Sequence, residues 1–483
     1  MKRSLTALLI LMLCAALVPL PVGLAETAAE PQTEAAEPLP PTCGDYEYAL
    51  LSDGTAEITK YLGSDVDLTV PATLDKHPVS RIGDKAFYWC SSLESVTLPD
   101  SVTAIGAYAF CECSSLTSIA LPGSVVSIGD YAFDNCTSLP GVTLPDSLTF
   151  IGNFAFYGCD SLTSMTFPDS VKTVGSNPFM FCKNMEEIIV SPEQPALATI
   201  GGVLFSKADK RLVCYPHAFF DAEYVIPRGI RIIDSGAFAS CSSLKSVVIP
   251  DTVTTIGEEA FYRCSGLEKV TIPNKVTAIG NYAFSECYSL TEVVISDSVT
   301  RIGDSAFSEC SSLTNVTLPA RLTGISAYLF SECSALTEVT IPEYVTSIGD
   351  SAFFDCKGLT SLVIPNRVTS IGESAFSSCE GLVSVTLSST LASIGDYAFY
   401  GCSGLTEVVI PVGASSIGEG AFADNKNLAS ISIPLTVKAI GDYAFSYCPA
   451  MTATVARNSF ALQYCKENGI PYMYYDSLDW LKD

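Results

Sequence analysis

Histidine and tryptophan are nearly missing from this chain, with two of each among 483 residues. His77 and His217 alone leave little for general acid–base or zinc chemistry. Charged residues amount to 16 %, below the roughly 25 % usual in soluble domains. Positive charge is the scarcer sign: 26 Lys and Arg stand against 52 Asp and Glu, a net charge of −26. Such a chain repels phosphate backbones and anionic headgroups, which argues against nucleic acid or a membrane surface as partner. No phosphate-binding loop, EF-hand loop, zinc-helix motif or Cys-x-x-Cys pair is present. Asp65 and Asp67 fall short of the six to eight oxygens that calcium takes. The expectation is a non-enzyme with no cofactor and no metal. Apolar residues reach 48 %, which excludes a charge-rich disordered chain.

Long hydrophobic runs are also absent after the first 25 residues. Lys2 and Arg3, the run Leu5–Val18 and the small-residue site Gly23-Leu24-Ala25 have the form of a secretory signal peptide over 1–25. Leu13 precedes Cys14 where a lipoprotein box has a small residue, which counts against lipidation. Residues 26–42 hold only Glu, Ala, Pro, Thr, Gln and Leu and read as a disordered linker. The expected product is secreted or retained at the cell surface without an evident anchor, and does not insert in a membrane after cleavage.

What is abundant is repetition. Phe recurs every 23 residues from Phe87 to Phe179 and again from Phe238 to Phe445, giving fifteen units of an α/β repeat solenoid. The intervening step is 59 residues, 36 more than one unit. Within a unit, Leu93-Glu94-Ser95-Val96-Thr97-Leu98 alternates as a strand, Val96 and Leu98 inward, and Pro99 ends it. Asp84 before Lys85-Ala86-Phe87-Tyr88 reads as the N-cap of a short helical turn, with equivalents at Asp130, Asn153, Asp304, Asp350, Asp396 and Asp442. Stacked coils place a parallel sheet on one face and helical turns on the other, advancing about 4.8 Å per coil. The expected organisation is an N-terminal cap over 43–80 around the Asp53-Gly54 turn, then repeats 1–5 over 81–190. A protruding β-hairpin insertion follows over 191–230, then repeats 6–15 over 231–456 and a C-terminal cap over 457–483.

The pattern Leu-x-x-Val-x-Leu-Pro followed by Val-x-x-Ile-Gly-x-x-Ala-Phe-x-x-Cys resembles the BspA-like, treponemal-type bacterial leucine-rich repeat over residues 45–483. Cysteine stands three residues before the first Leu, as in Cys90 and Leu93, rather than after the strand as in the general leucine-rich pattern. The resemblance implies a right-handed superhelix and an exported or surface protein that binds matrix proteins or other cells.

Three columns carry the functional expectations. Fourteen cysteines lie three after the Phe: Cys90, Cys113, Cys136, Cys159, Cys182, Cys241, Cys264, Cys287, Cys310, Cys333, Cys356, Cys379, Cys402 and Cys448. Stacking brings neighbours within disulfide range but with parallel Cβ bonds, so a structural ladder of buried free thiols is favoured over disulfides or metal. Cys43, Cys111, Cys214 and Cys465 stand outside it and are expected to be exposed. The outward strand positions offer a ligand face at Thr271, Glu292, Asn315, Thr317, Glu338, Thr340 and Glu407. Strand propensity alone also accounts for Thr and Val there, and neither column holds the Trp, Tyr or Arg usual in interface anchors. Tyr108, Tyr131, Tyr282, Tyr328, Tyr397 and Tyr443 share the place two before the Phe, suited to packing between coils or to a partner. The reading is recognition of an extracellular protein or glycoprotein, the alternative a structural or assembly component of the cell envelope without a dedicated ligand.

Overall fold

Each 23-residue unit passes its neighbours as an extended strand twice, not once. The long strand of one unit pairs in parallel with its counterpart 23 residues on, as in Ser95↔Ser118, Lys269↔Glu292 and Glu407↔Ser430. A second strand of two residues, missed in the sequence, precedes the glycine: Ala104-Ile105 pairs with Ser127-Ile128, and Thr255-Ile256 with Ala278-Ile279. The computed structural model describes residues 40–475, and from Pro41 onward the chain is one compact unit. The signal-peptide and most of the linker expectations lie outside the described residues.

The expected helical turns are not there. Among the described residues the one α-helix is α1, Phe460–Glu467, capped by the Ser459 hydroxyl accepting from the Leu462 amide. The Asp-x-Ala-Phe segment is instead a ribbon of overlapping turns. Positions two before and two after the Phe have positive φ, 59° at Lys85 and 63° at Trp89, which no right-handed helix tolerates. Alternate amides close local turns, Tyr88 to Lys85 O and Cys90 to Phe87 O. The others reach forward: Lys85, Phe87 and Trp89 N–H donate to Ala107, Ala109 and Cys111 O at 2.8–2.9 Å. A four-residue phrase gains too little from its own bonds to nucleate a helix, whereas these bonds repeat along the stack. The presumed N-cap residues serve the same end. Asp84 Oδ1 accepts from the Ala107 amide one coil on, Asp130 from Asn153, Asp350 from Glu373 and Asp396 from Glu419, at 2.7–2.8 Å.

This contact explains the glycine that follows the short strand in most units; Asp234 holds the slot where the preceding coil is the last strand of the insertion, and the ladder continues there. A Cβ on Gly106 would lie 2.5 Å from Asp84 Oδ1 and 2.6 Å from its amide nitrogen, so a side chain there forces the coils apart. One unit shows the consequence. Ser326 takes the glycine slot and Leu329 the alanine slot, and the short-strand ladder stops at Arg301–Ile302, with Ile325 bridging forward to Ile348. The long-strand ladder breaks elsewhere, where Pro140-Gly141 replaces residues whose amides donate in other coils.

The insertion contains the expected β-hairpin, Val203–Ser206 against Arg211–Cys214, but a third strand extends it and it does not protrude. Leu197–Ile200, Val203–Ser206 and Arg211–Cys214 form an antiparallel meander whose last strand joins Ile232-Ile233 in parallel. Both its faces are buried: Leu204, Val213 and Cys214 enter the N-terminal core, and Val203, Phe205 and Leu212 the C-terminal core. Tyr215, 23 residues before Phe238, then continues the ring ladder at 5.2 Å, and Glu223–Val225 pairs with Ser246–Val248. Residues 215–230 are therefore a further repeat unit, hidden from a count of phenylalanines.

Candidate ligand-binding face

The long strands present one set of side chains to the core and the other to solvent, as in Lys269–Ile272, where Lys269 and Thr271 are exposed and Val270 and Ile272 buried. All seven expected face residues, Thr271, Glu292, Asn315, Thr317, Glu338, Thr340 and Glu407, are exposed. The first six share adjoining coils. Glu407 does not join them: it lies three coils beyond Glu338, across a gap in the ladder between Glu338-Val339 and Ser361–Val363.

Three open depressions run along the six-residue stretch. One is lined by Lys269, Thr271, Asn274, Val294 and Ser296, the next by Glu292, Val294, Asn315 and Thr317. The third is lined by Asn315, Thr317, Glu338, Thr340, Glu343 and Tyr344. Their floor mixes polar groups with exposed valine: Val248 and Val294 are about half exposed. Lys269 Nζ pairs with Glu292 Oε2 at 3.1 Å, a solvent-screened bond that fixes little. The surface is thus amphipathic.

The anchors that the strand columns lack sit on the adjoining loop. In most units the second residue after the strand's proline is Ser or Thr, whose hydroxyl donates to the preceding coil, as Ser101 to Val79 O at 2.6 Å and Ser147 to Val125 O at 2.6 Å. Lys275, Arg321, Tyr344 and Arg367 hold that slot in the central units, all exposed. The Arg367 guanidinium lies 4.9 Å from the Tyr344 ring centroid, at the rim of the third depression. The signal was the loss of Ser from its column.

The cysteine ladder is a column of mostly buried thiols. All eighteen cysteines among the described residues are free thiols, with only Cys43, Cys90 and Cys448 less than buried. Ladder thiols donate to the Phe carbonyl of the preceding coil, Cys113 to Phe87 O and Cys287 to Phe261 O, both at 3.2 Å. Burial pushes Cys264 and Cys310 up to about 12, far from reactive thiolate. The expectation that off-register cysteines are exposed fails: Cys111, Cys214 and Cys465 are buried, because each faces a packed core or, for Cys111, the Asp134 carboxylate at 3.4 Å. Tyr108 and Tyr131 stack at 5.0 Å as between-coil packing, while Tyr328 and Tyr443 are exposed. Asp65 and Asp67 are engaged by the hydroxyls of Tyr61 and Ser95. His77 Nδ1 lies 2.8 Å from Gly54 O, and His217 is held below its usual value by burial. Among the described residues, no group of three or more His, Cys, Asp or Glu is placed to hold a metal ion, and no helix is long and apolar enough to cross a membrane.

No curated protein matches the chain. Among solved structures, a leucine-rich repeat protein from Eubacterium ventriosum is 26 % identical over 79 % of this chain and 92 % of its own, with a TM-score of 0.52. One from Bacteroides ovatus is 25 % identical over 89 % and 98 %, with a TM-score of 0.48. A leucine-rich cell surface protein from Faecalibacterium prausnitzii is 30 % identical over 72 % and 94 %, with a TM-score of 0.41. The profile of the BspA type leucine rich repeat region matches residues 77–211, 222–337 and 323–452. With most of its length so matched and its coils built on that repeat, the chain belongs to the BspA-type leucine-rich-repeat family.

Proposed function

We propose that this chain is an exported, non-enzymatic recognition protein that binds an extracellular protein or glycoprotein through its strand face. The observation that carries the reading is the pairing of Tyr344 with Arg367 beside the depression lined by Asn315, Thr317, Glu338 and Thr340. Tyr and Arg are the residues over-represented among interface hot spots, and here they are exposed with polar and apolar groups alongside. The leader-like segment 1–25 supports export. Glu292 and Glu338 on this stretch favour a basic patch on the partner.

Surface plasmon resonance of the mature chain against purified matrix glycoproteins tests this. Saturable binding is expected, weakened about 30-fold or more by Tyr344→Ala with Arg367→Ala, as loss of a hot spot of about 2 kcal/mol requires. Binding unaffected by that pair and by Glu338→Lys sinks the strand-face assignment. No binding at all, with end-to-end filaments formed instead, favours an envelope assembly component.

A further inference from the structure

The ribbon of turns on the opposite side of each coil carries a second feature that strand-face recognition does not use. The slot two after the Phe has positive φ in unit after unit, filled by Gly, Asn or Asp in some coils, as Gly158 at 63° and Asn135 at 54°, and by Glu, Ser or larger residues in others, as Glu112 at 61°. In the first unit it is Trp89, at φ 63° and 62 % exposed. Tyr88 beside it is 45 % exposed, the two rings 6.2 Å apart at 65°. The slot accepts large residues elsewhere, Phe181 at 61° and Tyr447 at 60°, so the backbone alone does not set Trp89 apart. What does is an indole left largely in solvent against the drive to bury it, with a second exposed ring beside it.

The surroundings indicate what covers these rings. The Trp89 amide donates to Cys111 O at 2.9 Å, which places Glu112 next to Trp89 one coil along. Asn135, a coil further, donates from Nδ2 to Glu112 Oε1 at 2.9 Å. Lys85 Nζ lies 5.9 Å from the Tyr88 ring centroid and 5.6 Å from that of Tyr108. Two exposed rings are therefore bordered at once by a carboxylate, an amide and an ammonium. The carboxylates of Asp84 and Glu112, within a chain of net charge −26, oppose an anionic ligand.

We propose that Trp89 and Tyr88 form a platform for a sugar ring of an uncharged glycan. The apolar C–H face of the ring stacks on the indole, and its hydroxyls exchange hydrogen bonds with Glu112, Asn135 and Lys85. The site is separate from the strand face, so its failure leaves the strand-face reading standing, and the reverse.

The test uses the full mature chain carrying Trp480→Phe, so that emission reports Trp89 alone. It is titrated with neutral cello-, xylo-, malto- and manno-oligosaccharides, and run through native gels containing neutral polysaccharides. A saturable emission shift and retarded migration with at least one are expected. Trp89→Asn, an exchange suited to the positive φ, should abolish retardation while the melting temperature stays equal or rises. Glu112→Gln should weaken binding about tenfold. No binding across the neutral panel overturns the proposal. So does retardation that survives Trp89→Asn, retardation confined to an anionic polysaccharide, or a protein ligand that alone depends on Trp89.

Discussion

A single carbonyl shows how the repeat selects its residues. Phe261 O accepts both the Cys264 amide, 3.1 Å away, and the Cys287 thiol of the following coil. Cysteine fits because it is small enough to stack yet carries a donor. Asn425, the one exception in the column, keeps the donor: its Nδ2 reaches Phe399 O at 2.8 Å and Phe422 O at 2.7 Å, though its Oδ1 is left buried without a partner. Charge is also decided at this scale. Burial pushes Glu259 up to about 7 and Asp134 up to about 6, and Asp234 to about 6 despite its bond to Arg211. Carboxyls raised in the folded chain take up protons on folding. Their stabilising contribution is full near pH 4 and lost as pH rises through 6–7. Glu286 runs the other way: burial raises it, but hydrogen bonds from Arg263, Tyr262 and Tyr288 outweigh this and hold it below the ordinary glutamate value. The melting temperature is thus expected to fall from pH 5 to pH 8, and Glu259→Gln to flatten part of that fall. Ionising Glu259 in place costs ~3 kcal/mol, at about 1.4 kcal/mol per pH unit. A variant with an unchanged profile rejects this account.

At the scale of the element, coil spacing depends on a missing side chain. Gly280→Ser is expected to reproduce the break in short-strand pairing seen at Ser326, because a Cβ there would lie 2.5 Å from both the Glu258 amide nitrogen and the Gly257 carbonyl carbon. A loss of about 1–3 kcal/mol is expected from such overpacking. Hydrogen exchange should quicken at the amides of Gly280 and Thr277, and unchanged protection there counts against the close-approach argument. The same element shows what the sequence disclosed. The long strand was legible because alternation at Ser95–Leu98 is a local signal with one buried face. The ribbon was not. Asp84 followed by Ala86 and Phe87 looks like a capped helical turn, whereas its hydrogen bonds go to residues 22 and 23 positions away, which local spacing does not reveal. The two-residue strand Ala104-Ile105 is too short to show a period. Of the face, the columns located the exposed strand residues but not Tyr344 or Arg367, which belong to a loop slot defined by a backbone-directed hydroxyl.

For the repeat body as a whole, the meander is a partition. Its residues divide between two cores by alternation along the strand, Leu204 to one side and Val203 and Phe205 to the other. Leu204→Ala is expected to cost about 2–5 kcal/mol felt in coils 87–179, and Phe205→Ala about 3–5 kcal/mol felt in coils 238–445. Hydrogen exchange by mass spectrometry separates them. Equal loosening on both sides by either variant shows one shared core instead. The forward reach of the turn amides has a wider consequence. Ribosomes make the amino end first, so a growing chain always ends in a coil whose three outward N–H groups await acceptors not yet translated. The frontier advances one coil at a time, and every finished coil behind it is already closed. Assembly on this plan has a built-in direction, like masonry in which each course rests on the one laid before and is sealed by the next.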